Sequence, residues 1–126
     1  MKFILLIHHE EALNEGERQY LLEESVQFAN QLHEKQQYLD AAPLHPSSET
    51  ISVKVRDGKR IVTDGPFAET REQIGGYFLI DAKDFDEAVD IAARIPPARI
   101  GTVEVRPVRE VEGLPISGLA SASTTH

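Results

Sequence analysis

The side chains best suited to chemistry lie together in Asp64-Gly65-Pro66-Phe67-Ala68-Glu69-Thr70-Arg71-Glu72-Gln73-Ile74-Gly75-Gly76-Tyr77, where acids, an arginine and a tyrosine crowd between two apolar runs. An aspartate withdrawn from water titrates nearer neutrality and can then exchange protons with a substrate, which makes Asp64 a candidate general acid or base. The commoner use of Asp in such a place is as a turn residue, its carboxylate accepting from nearby backbone N–H groups. Glu69 and Arg71 could hold a polar or acidic substrate, since arginine presents a planar fork to a carboxylate. Equally, they could pair with each other or with Glu72 at the surface, where an ion pair contributes little. Tyr77 follows two glycines that admit a ligand or another backbone. Its hydroxyl could donate to a developing oxyanion, although a buried tyrosine with a satisfied hydroxyl is more usual. Asp64 and Tyr77 are thus the catalytic candidates, with Glu69, Arg71 and Phe67 as candidate substrate contacts.

The histidines carry less. His8-His9-Glu10-Glu11 superficially suggests a metal site, but adjacent strand residues point to opposite faces, so the two histidines cannot readily share one ion. The segment reads as a polar strand end. His33 and His45 are isolated in sequence and His126 is terminal. With no cysteine there are no disulfides, no thiolate chemistry and no thiolate zinc ligand, and no metal is expected. No G-x-x-x-x-G-K-S/T, G-x-G-x-x-G or G-x-S-x-G run occurs, so any reaction is expected to be proton transfer, isomerase-like or lyase-like, without a cofactor.

These residues need elements to position them. Asp-Gly-Pro forces a turn, because glycine tolerates positive φ and proline lacks the N–H of a ladder. Thr70 to Gln73 could add one short helical turn before the strand Gly76 to Asp81. Upstream, Lys2 to His8 is apolar on both alternating sets and reads as a central strand. A helix is expected over roughly Glu15 to Gln37, its stripe Leu21, Leu22, Val26, Phe28, Ala29 and Leu32 lying on the sheet. Tyr38 to Pro46 is short and extended. Thr50 to Arg56 alternates Ile51, Val53 and Val55 against Ser52, Lys54 and Arg56, which predicts a half-buried strand. Asp57-Gly58 then turns it into a hairpin with Arg60 to Thr63. Asp84 can cap a second helix, stopped by Pro96-Pro97, and Thr102 to Pro107 is the last strand. From Glu110 onward small and polar residues predict a flexible tail, leaving one domain over 1–109.

The order strand, long helix, hairpin, strand, helix, strand matches the split βαβ, ferredoxin-like plan: an α+β fold with two helices on one face of an antiparallel sheet. Its other face carries apolar side chains from the first strand, so a homodimer is expected to cover it. The chain of 126 residues has 13 basic and 21 acidic side chains, a net charge of −8. Nucleic acid and anionic membranes, which need a positive field, are therefore not expected as partners. Phe3 to Ile7 is too short to span a bilayer, and a cytoplasmic location is expected.

Val55-Arg56-Asp57-Gly58, the run Val62 to Ile80 and Glu104-Val105-Arg106-Pro107 together resemble the DGPF family of YCII-related proteins over roughly Met1 to Val108. Asp64, Gly65, Pro66, Phe67, Glu69, Gly75, Gly76 and Tyr77 match its signature, with Arg71 where lysine is usual. The resemblance implies a dimeric ferredoxin-like α+β barrel similar to muconolactone isomerase. It implies a suspected enzyme with a histidine and an aspartate in a cleft; that histidine is not carried onto any histidine of this sequence. It also implies occurrence beside extracytoplasmic-function sigma factors. Two readings follow: a small acid/base enzyme acting on a small polar molecule, or a non-catalytic ligand-binding or regulatory module linked to a sigma factor.

Overall fold

Six strands and two helices follow the expected order, in a computed structural model that describes residues 1–115. The strands β1 (Lys2–His9), β2 (Tyr38–Pro43), β5 (Gln73–Asp81) and β6 (Gly101–Pro107) form one antiparallel sheet in the order β2-β5-β1-β6. That is the ferredoxin-like arrangement, with the first and third sheet strands at the centre. Helices α1 (Glu15–Glu34) and α2 (Phe85–Arg94) lie on one face of it. The expected tail is described only as far as residue 115; residues 116–126 lie outside the described part.

The period-two alternation of β1 decides its two faces. Phe3, Leu5 and Ile7 turn inward and are buried with Phe78 and Ile80 of β5, Phe28 and Leu32 of α1, and Ala88, Ile91 and Ala92 of α2. Edge-on aromatic contacts of Phe3 with Phe85, at 5.1 Å between centroids, and the tilted pair Phe28–Phe78, at 6.0 Å, join both helices to the sheet. Ile4, Leu6, Tyr77 and Leu79 point the other way and remain half-buried.

Local signals account for the helix ends. Asn14 accepts from the Glu17 backbone N–H while the Glu17 carboxylate accepts from the Asn14 N–H, a complete capping box. Asp84 caps α2 through the Glu87 N–H, and Ile95-Pro96-Pro97 ends it.

Three expectations change. Helix α1 buries only Phe28 and Leu32; its N-terminal half stands off the sheet, so Leu22 and Val26 are exposed along a cleft instead of packed in the core. Residues 70–73 form bends and the start of β5 rather than a helical turn, the Thr70 hydroxyl donating to the Glu72 carbonyl. Strands β3 (Ile51–Arg56) and β4 (Lys59–Asp64) form a hairpin that joins no other strand. Its Asp57-Gly58 turn has φ of 51° and 73°, the left-handed pair of a type I′ turn. The alternation of Ile51, Val53 and Val55 is real, yet these side chains are about 60% exposed, because no helix or third strand among the described residues covers the ribbon.

Candidate functional site

The stand-off of α1 opens a cavity of about 760 Å³ between that helix, the C-terminal ends of β1 and β2, and β5. Ile7, Leu21, Ala29 and Phe78 give it apolar walls, and His9, Glu11 and Arg18 bring ionisable groups to it.

His9 is seated by its neighbours. In the β1–β5 ladder Ile7 faces Gly76 and His8 faces Ile74, so Gly75 is an extra residue, a bulge, beside the His9 ring. A Cβ on Gly75 would lie 2.4 Å from His9 Nε2. On the other flank, His9 faces Gly101 of β6, where a Cβ would lie 2.8 Å from the His9 Cβ and 2.0 Å from the His8 carbonyl oxygen. Gly75 thus omits a side chain where the imidazole lies, and Gly101 omits one where the His8–His9 backbone passes.

The hydrogen bonds then settle its tautomer. His9 Nδ1 is 2.8 Å from the Glu10 carbonyl oxygen, which can only accept, so Nδ1 carries the proton and Nε2 of the neutral ring keeps a lone pair. Glu11 accepts from both the backbone N–H and the hydroxyl of Ser47. Those bonds hold its carboxyl below the usual range, with the Arg18 charge, and that of His9 whenever its ring is protonated, adding to the effect. A base with a free lone pair, a fixed carboxylate and a guanidinium beside an apolar cavity can bind a small molecule and move a proton on it.

Among the loop candidates, Arg71 is paired with the Glu10 carboxylate, which raises the guanidinium pKa and draws the loop to the end of β1. Asp64 ends β4 on the projecting hairpin, and Phe67 is 96% exposed. Asp64, Phe67, Glu69 and Arg71 are not among the residues that line the cavity, whereas Tyr77 borders it while its side chain turns to the opposite sheet face. The Tyr77 hydroxyl donates to Asp40 at 2.8 Å, and this bond to a carboxylate pushes the phenol pKa up. His8 points to the sheet face opposite the helices, its Nε2 3.0 Å from Glu104. Sequence reasoning passed over His9 and Glu11; the signal that finds them is the pair of glycines on the flanking strands, which becomes visible only with the register. Among the described residues no three His, Asp or Glu side chains gather to hold a metal ion, and no helix is long and apolar enough to cross a membrane.

A family model described as YCII-related domain matches residues 1–112. A curated protein of Rhizobium meliloti (strain 1021), "Uncharacterized protein R00369", is 44% identical over 69 residues, which cover 53% of this chain and 56% of that protein. The match thus spans little more than half the length of that relative. Among solved structures, the chain is similar to 5-chloro-2-hydroxyhydroquinone dehydrochlorinase (TftG) from Burkholderia phenoliruptrix AC1100 in complex with 2,5-dihydroxybenzoquinone. The TM-score is 0.48 and the identity 12%, over 89% of this chain and 97% of that one.

Proposed function

The chain belongs to the YCII-related domain family, and on that footing we propose that it is a small cofactor-independent acid/base enzyme whose base is His9. The observation that carries this reading is the niche between Gly75 and Gly101, where the Glu10 carbonyl holds Nδ1–H and leaves the Nε2 lone pair available. The substrate is a small molecule with an acidic proton. His9 Nε2 takes that proton, and the ionised Glu11 favours the imidazolium that forms. Arg18 offers its charge to a negative group on the same molecule. The reaction is isomerase-like or lyase-like, because the proton can be returned at another atom or leave with a group. The Arg71–Glu10 pair ties the loop that carries Phe67 and Glu69 to the end of β1, next to His9, which makes these three the substrate contacts this reading assigns to the loop.

The working form in this reading is a cytoplasmic homodimer. Ile4, Leu6 and Leu79, ringed by the His8–Glu104 and Tyr77–Asp40 pairs, make a sheet face of mixed character that a second copy would cover.

The test is a thermal-shift screen of the wild type, His9→Asn and Asp64→Asn against a panel of small metabolites. A ligand at a hundred times its Kd stabilises the native state by about 2.7 kcal/mol. Asparagine keeps a donor for the Glu10 carbonyl but has no base at the Nε2 position. The expected result is a hit that turns over with wild type and Asp64→Asn but not with His9→Asn. A hit that only Asp64→Asn abolishes would overturn the assignment and move the site to the central loop.

A further inference from the structure

The β3–β4 ribbon has a chemistry unlike the rest of the chain. Its register places Ile51, Val53, Val55 and Val62 on one face, exposed by 62%, 61%, 60% and 54%. A two-stranded ribbon is marginally stable alone in water, and a contiguous aliphatic face of this kind marks a surface that is normally covered. Asp64 and Arg60 share that face, opposite Ile51 and Val55, while the other face and the tip carry Lys54, Arg56 and Lys59 with Asp57; the arm has a net charge of +2 over 51–64. Since the whole chain is −8, the remainder carries −10. A basic, aliphatic arm on an acidic protein calls for an acidic, aliphatic receptor.

Helix α1 is such a surface. It holds Glu15, Glu17, Glu23, Glu24 and Glu34 against Arg18 and His33, with Glu24 paired to Arg99. Its exposed aliphatic residues Leu22 and Val26 sit one turn apart and line the cavity, as does the exposed Leu44. No residue of the arm lines the cavity of its own chain. We propose that the arm docks on a second copy of this chain, laying Val53, Val55 and Val62 across Leu22 and Val26 of the partner subunit. Each cavity is then roofed by the other subunit's arm, and each site is incomplete in the monomer. At about 3.3 Å per residue the six-residue strands reach roughly 20 Å, twice the spacing of two stacked sheets, which lets the arm pass the partner's sheet to its helix layer. Arm-to-arm pairing would instead bring eight basic side chains of two copies together. The inference rests on the homodimer proposed above.

The chain has no cysteine, so engineered ones report unambiguously. Two differently tagged copies are co-expressed, one carrying Val53→Cys or Val55→Cys and the other Leu22→Cys or Val26→Cys, then mildly oxidised. A disulfide needs Cα atoms about 4.4–6.8 Å apart, which makes the link stringent. The expected result is a disulfide carrying both tags in at least one of these pairings, with Val53→Cys alone giving little self-linkage. Alongside, Val53→Asp/Val55→Asp is expected to weaken the dimer at least tenfold in Kd while the circular dichroism spectrum is unchanged. A wild-type dimer with no mixed link in any pairing, or with dominant Val53→Cys self-linkage, would overturn the docking and leave the dimer standing. A wild-type monomer by sedimentation equilibrium at micromolar concentration would overturn the dimer and the docking together.

Discussion

Replacing Gly75 with alanine puts a methyl group 2.4 Å from His9 Nε2 and 3.0 Å from its Cδ2, inside any permitted contact. The neighbour it meets is the end of a side chain, so the imidazole swings and the strands stay in place. An off-rotamer χ angle costs about 0.5–1.5 kcal/mol, and losing the bond from Nδ1 to the Glu10 carbonyl costs about 1 kcal/mol, partly recovered by water. A net loss of about 1 kcal/mol corresponds to roughly 3–5 °C in Tm for a domain of this size. The effect on the site is far larger, because a base displaced by about 1 Å can cost 100-fold in rate. Long-range ¹H–¹⁵N spectra of the histidine rings read this without a ligand: the wild type is expected to show the His9 proton on Nδ1, and Gly75→Ala to lose that preference. Gly101→Ala is the contrast, since its Cβ would meet the His8 carbonyl oxygen at 2.0 Å. Backbone cannot swing aside, so β1 and β6 must part, and about 3 kcal/mol or more of stability is expected to go. A Gly75→Ala protein with unchanged His9 tautomer and unchanged ligand binding would refute the reasoning about the niche.

Two further outcomes follow from the same geometry. Glu11 has a folded pKa depressed by Ser47, so its stabilisation is present above the ordinary carboxylate pKa and is lost as pH falls through the folded value. Ser47→Ala is therefore expected to be less stable than wild type at pH 7, by under about 1 kcal/mol because the pair is solvent-screened, and to match it near pH 3 in urea melts. Asn14→Ala removes the side chain of the capping box that starts the poorly packed half of α1; a loss of about 1 kcal/mol is expected. Amide exchange should speed up over 15–22 but not around Leu32.

Local chemistry wrote the element order into the sequence. Alternation in Phe3 to Ile7, the Asp57-Gly58 turn, the Asp84 cap and the Pro96-Pro97 stop each act within a few residues, so each is readable without knowing what lies opposite. Together they also determined the ferredoxin-like plan, which needs only the order and type of elements. Two things waited for the tertiary structure. Periodicity says that Ile51, Val53 and Val55 share a face but not what covers it, and the fold leaves that face open in the protomer. The site depends on register: His9 read as a polar strand end, and only the alignment of β1 with β5 and β6 brings Gly75 and Gly101 to either side of it. Strand partners distant in sequence are chosen by core burial, as Phe3, Leu5 and Ile7 turn inward together. The place of the His9 ring is a consequence of that burial, which no local pattern around His9 encodes.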